Sequence, residues 1–487
     1  MKLYRVFTLI LFFVSISLLA QNDNLPKDYL SKDFHQNRRE NLRKLLPANS
    51  VAVFFTNAVR NRANDVNYVY HQDPNFYYLT GYPEPNGVLL IFKDNQTING
   101  KTFNELLFVQ KKDEYAEMWT GKRLGVEGVQ DNLGFRVVYN GGDFKEYPIN
   151  FSKFDKVLFN PFKNDVRDTK NTADLFDLIQ NFKNKVSFGF ATLKTPKNDK
   201  IFKKTKKRID TKSLRVLLAD LREIKTPEEL KLLKKAINIS AIGQIEMMKA
   251  MTPTMSEAEA QGVHEFVYKK YGAEYEGYPS IVGAGNNGCI LHYIENNKPK
   301  VGDEQLILMD LGAEYHGYTA DVTRTIPTNG TFTKEQKLIY DLVYKAQEAG
   351  IAQAKVGNKF NSTTKAARKI INKGLAELGI IDSEKSYHNY FPHGATHHIG
   401  LDVHDLTNYG NFKENMVITV EPGIYIPEGS NCDKKWWGIA VRIEDDILIA
   451  KKGPVILSAM APRKSDEIEK MMKRPSILND FNLPKLD

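Results

Sequence analysis

Cysteine is nearly absent: the 487-residue chain carries two, Cys289 and Cys432, in separate segments. Two thiols cannot build a disulfide framework, so the fold must rest on buried apolar surface. Two buried free thiols are expected, with a lone bridge as the alternative. Beyond residue 20 the chain also lacks any apolar run long enough to cross a bilayer, so no stable membrane span is expected. Nor does one sign of charge dominate. Lys plus Arg exceed Asp plus Glu by 68 − 59 = 9, spread along the chain. The one dense run, Lys197 to Arg208 (KNDKIFKKTKKR), reads as a solvated loop or linker, and no nucleic-acid partner is expected. A dinucleotide site is excluded despite a match in spacing. Gly283-Ala284-Gly285-Asn286-Asn287-Gly288 fits G-x-G-x-x-G, but that motif works only when a helix N-terminus follows to receive the pyrophosphate. The next residues, Cys289 to Tyr293, read as a strand, so a tight glycine turn is predicted instead.

The length is too great for one ordinary domain and points to two, or three. Residues 1–20 join a basic start to an apolar run from Val6 to Leu19, with a small residue before Gln21. That is the grammar of a cleaved secretory signal, with an uncleaved anchor as the alternative, and it predicts an exported protein, periplasmic or extracellular. Residues 25–193 read as a mixed α/β domain: a helix over Phe34–Leu46, then strands from Ser50, Gly87, Glu105 and Lys156, divided by turn clusters such as Tyr82–Gly87. Residues 194–225 hold the basic run and a connecting helix over Ser213–Glu223. Residues 226–465 open with marked helix starts. Thr226 with Pro227 and Glu229, Ser256 with Glu259, and Thr333 with Gln336 all have capping-box chemistry. Helices and strands then interleave without regular βαβ spacing, which predicts an α+β domain with a largely antiparallel sheet, followed by a tail over 466–487.

The chemistry gathers in this second domain. Gln305 to Pro327 (QLILMDLGAEYHGYTADVTRTIP) reads as two strands around a turn from Gly312 to Gly317. By two-residue alternation Leu306, Leu308 and Asp310 share one face of the first; Thr319, Asp321, Thr323 and Thr325 share one face of the second. A carboxylate in such surroundings is costly unless it is ion-paired, heavily hydrogen-bonded or bound to a metal, and salt-bridged aspartates stay open as the plain alternative. Seven of the ten histidines fall between His292 and His404, four of them in FPHGATHHIGLDVHD. Met416–Ile426 and Gly438–Ile449 read as further strands; in the first, MVITVEPGIYI, Glu421 ends an apolar run where Pro422-Gly423 bends the chain. In GIAVRIEDDILI, Ala440, Arg442, Glu444 and Asp446 share a face, and an Arg442–Glu444 ion pair is the alternative there. Taken together, Asp310, Asp321, His397, Glu421 and Glu444 make four carboxylates and one imidazole. Four like charges cannot converge inside a domain unless cations neutralise them. Oxygen-rich ligation with one nitrogen suits Mn, Fe, Co or Zn, not a thiolate-type structural zinc. Because carboxylates bridge, five side chains suffice for two metals about 3.5 Å apart, a pair that acidifies water and polarises a carbonyl, as hydrolysis of an amide or phosphate requires. His71, outside this group, is expected to be structural.

At these residues the chain resembles the Xaa-Pro aminopeptidases of the pita-bread metallopeptidase superfamily. The similar stretches are GYPSIVGAGNNGCILHYIEN, MDLGAEYHGYTADVTRTIP, FPHGATHHIGLDVHD, VITVEPGIYI and VRIEDD. RRENLRKLLP, HQDPNFYYLTGYPEP and EMWTGKRLG are similar to that family's N-terminal domain, so the likeness covers nearly all the chain after the signal segment. It implies a pita-bread catalytic domain holding two divalent metal ions, manganese first, with zinc, cobalt or iron as alternatives. Asp321 and Glu444 would bridge them, Asp310 completing one and His397 with Glu421 the other. Glu421, His404 and His292 are the implied catalytic residues, Glu421 as general base and His404 as a support for the scissile peptide. His393, His404 and Arg442 would bind substrate, His393 and Arg442 toward its proline, while Thr323 orients a carboxylate. The implied substrates are peptides with proline second, whose missing N–H and fixed φ call for a specialist. A prolidase restricted to Xaa-Pro dipeptides is the alternative within hydrolases, and a non-catalytic binding protein on the same scaffold is the alternative outside them. Self-association into a homo-oligomer is implied as well.

Overall fold

A short unbroken apolar run such as SVAVFF cannot leave either face in water, and in the computed structural model it becomes the interior strand of a sheet. This structure describes residues 28–187 and 207–478; the signal segment, most of the basic run and the end of the tail lie outside the described residues. The strand is β1 (Ser50–Phe55), buried along almost its whole length. It pairs antiparallel with β4 (Val88–Ile98) and parallel with β7 (Lys156–Leu158). β5 (Lys101–Val109), β6 (Val138–Asn140) and β8 (Ile209–Asp210) complete a six-stranded mixed sheet in the order β6-β5-β4-β1-β7-β8, beside a small hairpin of β2 (Asn61–Ala63) and β3 (Val66–Asn67). Alternation sends the two faces of β1 to different helices. Ala52 and Phe54 pack in one cluster with Phe34 and Leu42 of α1 (Lys32–Leu45), whose first turn is capped by the Ser31 hydroxyl accepting from Phe34 N at 3.2 Å. Val51 and Val53 pack with Leu178 and Phe182 of another helix, Leu175–Lys185.

The second domain is an α+β assembly whose strand pairs are all antiparallel among the described residues. All three predicted capping boxes form, at the starts of helices Pro227–Ala250, Glu257–Lys270 and Lys334–Ile351. The first domain leans on the second through one continuous apolar cluster running from Phe34 and Tyr78 through Leu218 to Leu233 and Tyr315.

Four expectations are corrected. The pair predicted over Gln305–Pro327 is four strands: β11 (Leu306–Leu311) and β14 (Val322–Pro327) form a sheet with β10 (Ile281–Ala284), while β12 (Ala313–Tyr315) and β13 (Tyr318–Thr319) turn away to join β9 (Tyr275–Glu276). The parting needs a glycine, because a Cβ on Gly312 would overlap the Ala320 carbonyl oxygen. Where the sheet splits, Gln244 of the Pro227–Ala250 helix donates to Met309 O (3.0 Å) and Val322 O (2.8 Å), and the Ser240 hydroxyl accepts from Ala313 N (2.9 Å). Buried polar side chains thus satisfy the backbone the ladder gives up. Second, Met416–Ile426 and Gly438–Ile449 each break into two strands, β15 (Val417–Val420) with β16 (Gly423–Ile426) and β17 (Ile439–Arg442) with β18 (Asp445–Ala450), the latter also paired to β19 (Gly453–Ile456). Pro422 offers no N–H at the first break. Third, Cys289–Tyr293 is not a strand: Gly285–Cys289 is a 3₁₀ turn, and Tyr293 Oη, donating to Glu257 Oε2 at 2.9 Å, draws the chain back inward. No α-helix start follows the glycines, so the dinucleotide motif stays excluded. Fourth, both cysteines are free, as expected, but half-buried. Among the described residues no helix is long and apolar enough to cross a membrane.

Candidate metal centre

The strand breaks are what bring the acids together. Asp310 lies opposite Thr323 in the β11–β14 ladder, and Asp321 sits in the irregular link just before β14. Glu421 falls between β15 and β16, its N–H donating to Ala395 O at 3.0 Å. Glu444 falls between β17 and β18, its N–H donating to Thr323 O at 3.1 Å while Arg324 Nη1 donates to its carbonyl at 2.6 Å. His397 comes from the loop beside β15, where Thr419 N donates to His397 O (2.9 Å) and His397 N donates to the Thr419 hydroxyl (3.2 Å). A continuous strand would have pointed Glu421 and Glu444 into a sheet face. The break aims them at one point.

One cavity of about 640 Å³ is lined by all five of these residues and also by His292, His393, His404, Arg442 and Tyr278. Ligating atoms of Asp321, His397 and Glu444 lie within 4.8 Å of one another. His397 Nε2 is 3.4 Å from Asp321 Oδ2 and 3.6 Å from Glu421 Oε1. The Thr323 hydroxyl donates to Glu444 Oε2 at 2.6 Å, but Glu444 Oε1 is buried with no hydrogen-bond partner among the described residues. The salt-bridge alternative holds in part: Arg442 Nη2 donates to Asp310 Oδ2 at 2.6 Å, and His397 stands beside Asp321. The Arg442–Glu444 pair is corrected: Arg442 spends its donors on Asp310, on Tyr425 Oη (2.9 Å) and on Thr323 Oγ1 (3.3 Å). One guanidinium and one imidazole do not compensate four carboxylates.

The electrostatics carry the mark of that imbalance. Burial, then the charges of Asp321, Glu421 and Asp310, holds the Glu444 carboxyl well above its usual range. Burial likewise pushes Glu421 up to about 7 and raises Asp310. Burial opposes ionisation of Asp321 and His397 too, but their mutual hydrogen bond prevails, lowering Asp321 and lifting His397 to about 9. Carboxyls raised by burial and then by one another's charge, one unpartnered buried oxygen and a single imidazole fit divalent cations, whose charge removes the repulsion and whose ligands must be deprotonated.

Around this group stand the other predicted residues. The His404 ring lies 4.2 Å from that of His397, centroid to centroid, its imidazole depressed by burial and then by His397. His393 Nδ1–H donates to Gly394 O at 2.6 Å, which leaves Nε2 to accept from Tyr425 Oη at 2.8 Å. Burial and then Arg442 push His393 down to about 4. His292 lines the same wall and is exposed. His71 takes no part in this cavity and pairs with Glu314 Oε2 at 2.9 Å. Three residues were not singled out from sequence. Tyr278 Oη lies 2.6 Å from both Asp310 Oδ1 and Asp321 Oδ1 and can give its proton to only one at a time. Tyr425 joins His393 to Arg442. Asp446, fully buried, accepts from Asp321 N at 3.1 Å and so fixes that backbone. Its place on the Arg442–Glu444 face was the one available signal.

Comparison with known proteins agrees with this geometry. Residues 231–451 match the model of metallopeptidase family M24, and residues 35–157 match that of the aminopeptidase P N-terminal domain. The Xaa-Pro aminopeptidase of Haemophilus influenzae is 33% identical over 468 residues, which cover 93% of this chain and 99% of that protein. The Xaa-Pro aminopeptidase of Escherichia coli is 31% identical over 91% of this chain and 98% of its own. The structure of Escherichia coli aminopeptidase P with the inhibitor Pro-Leu superposes with a TM-score of 0.78, at 31% identity, over 91% of this chain and 98% of that one.

Proposed function

The chain belongs to metallopeptidase family M24, in its aminopeptidase P branch, and we propose that it removes the first residue from peptides whose second residue is proline. The observation that carries this reading is the single cavity shared by four carboxylates, His397 and the three accessory residues His292, His393 and His404. Asp310, Asp321, His397, Glu421 and Glu444 are the residues that would hold two divalent ions, Asp321 and Glu444 serving both. Bound there, the ions supply Lewis acidity, which makes water nucleophilic and polarises the scissile carbonyl. Oxygen-rich ligation with one nitrogen suits Mn, Fe, Co or Zn, and the family resemblance puts manganese first.

The chain's own groups do the rest. Glu421 accepts a proton from the attacking water and returns it to the proline nitrogen as the C–N bond breaks, so that the first residue leaves with a carboxylate and proline becomes the new amino terminus. His404 donates toward the carbonyl oxygen, where negative charge develops, and His292 flanks the same peptide. His393, held in one tautomer by Gly394 and Tyr425, forms with Arg442 the wall facing the proline ring. Thr323 orients Glu444.

The test is purified protein with manganese and an Arg-Pro-Pro peptide, followed by release of free arginine. Release from tripeptides as well as dipeptides separates this activity from a prolidase. Metal shown to be bound with no release of the first residue overturns the reading. The same proposal places the protein outside the cytoplasm, supported by the basic start and the Val6–Leu19 run. N-terminal sequencing of the mature protein is expected to begin at Gln21, and a retained Met1 refutes export by cleavage. Self-association is part of the proposal too. The exposed Tyr115, Met118 and Trp119 supply an apolar surface for it, and light scattering at a monomer mass counts against it.

A further inference from the structure

A second cavity, of about 210 Å³, lies at the seam between the two domains, apart from the metal centre. It is far larger than the ~10–15 Å³ that one water occupies on this measure. Its walls include four tyrosine rings, Tyr29, Tyr70 and Tyr77 from the first domain and Tyr275 from the second, with the carboxylates of Glu274 and Glu314 among them. The rings are anchored. Tyr29 stacks on His316 at 3.7 Å between centroids, Tyr275 Oη donates to Tyr70 O (2.8 Å), and Tyr70 Oη donates to Gln72 Oε1 (2.9 Å).

The wall of this cavity is acidic, with Glu274 and Glu314 in it and Asp28 behind His316. Glu314 is buried, and both its oxygens are within 3.0 Å of His71 Nε2. Glu274 accepts from His316 N and Nδ1, whose other ring nitrogen meets Asp28 at 3.0 Å. Lys235, bound to Asp28, is the one permanently charged base in this network. Burial raises the phenols of Tyr29, Tyr77 and Tyr275, and the charge of Glu274 adds to each shift. An aromatic box with a carboxylate field attracts cations through the ring quadrupole. The carboxylate oxygens, however, already accept N–H donors from His71 and His316. A compact, strongly hydrated ammonium would therefore have to give up its water with few free acceptors in return. A methylated ammonium brings charge without N–H donors and sheds water readily.

We propose that this cavity binds a small, weakly hydrated organic cation of the methylated-ammonium class. The test is calorimetric titration of the full-length protein at pH 8 with tetramethylammonium, choline and a tripeptide carrying trimethyl-lysine. 3,3-Dimethylbutanol serves as the neutral isostere of choline. At least one of the three cations is expected to bind saturably, and choline about tenfold more tightly than its isostere, within the range of cation–π energies. Tyr275→Leu is expected to weaken binding about five- to tenfold, whereas Tyr275→Phe, which keeps the ring, leaves it within about twofold. If the tripeptide binds best, the natural ligand is a methylated side chain; if choline does, it is a free small molecule. Peptidase activity in the absence of added cation is expected to be unchanged in Tyr275→Phe. Failure of all three cations to bind, an isostere as tight as choline, or an indifferent Tyr275→Leu overturns the proposal.

Discussion

Arg442→Met removes a guanidinium that is only 4% exposed and donates to Asp310 at 2.6 Å and to Tyr425 at 2.9 Å. Methionine is close to arginine in length and leaves no large void, so the loss is chiefly electrostatic. Asp310 then keeps its place in an acid-rich cavity without its cation. Breaking a buried pair from one side costs about 3–5 kcal/mol, because the remaining charge is neither solvated nor compensated. Divalent metal supplies the missing positive charge at the same carboxylate. We therefore expect a destabilisation of that size in EDTA at pH 7.5, and a much smaller one in saturating manganese. Arg442→Lys should fall between, since a lysine restores charge but not the fork that reaches Asp310 and Tyr425 together. Urea unfolding followed by tryptophan emission is suitable, because Trp436 and Trp437 report on the catalytic domain. A loss under about 1 kcal/mol in EDTA, the value of an exposed pair, refutes the reasoning by showing Asp310 to be solvated. An equal loss with and without manganese refutes it differently, by separating Asp310 from the cation site.

Further outcomes can be checked alongside. Asp321→Ala and Glu444→Ala should each abolish turnover and lower bound metal on elemental analysis; near-normal rates in either would mean that these are not shared ligands. Gly312→Ala should lose soluble protein or metal binding, because its Cβ would overlap the Ala320 carbonyl at the point where β11 and β12 part; a normal variant would show that the link yields. Burial holds the imidazoles of His35 and His264 down at about 4. Their folded pKa lies below the unfolded one, so the unfolded chain takes up protons first as pH falls. Stability should be complete above pH ~6.5 and lost on the way down to ~4, on the order of 3 kcal/mol per histidine. His264→Leu should flatten that slope in urea midpoints measured from pH 7 to 4, and an unchanged slope would count against it.

Much of the fold could be read because its signals are local. A cap needs only a hydroxyl and a Glu or Gln three residues on, and Thr226–Glu229, Ser256–Glu259 and Thr333–Gln336 all behave as those rules require. SVAVFF is a buried strand for an equally local reason, having no polar face to offer water. Local rules gave out at Cys289–Tyr293. The apolar pattern suggested a strand, but the bond from Tyr293 to Glu257, residues far apart in the chain, curls the segment inward. The same limit applies to Asn61–Ala63 and Val66–Asn67, whose exposed hairpin carries no apolar pattern at all.

By itself, the sequence determined which residues would be costly to leave unpaired. A carboxylate at the end of MVITV or within LILMDL is expensive unless it is paired or bound, so alternation marks Asp310, Asp321, Glu421 and Glu444 as candidates, with ion pairs as the open alternative until the family resemblance assigns their roles. Only the tertiary structure decided how they meet. The breaks at Glu421 and Glu444, the parting of β11 from β12 at Gly312, and the roles of Tyr278, Tyr425 and Asp446 depend on partners brought from tens or hundreds of residues away. The same holds for the tyrosine-lined seam, where Tyr29 and Tyr275 face one cavity from different domains. Burial energies are set residue by residue, but convergence is set by which strands find each other, and no short window of sequence contains both.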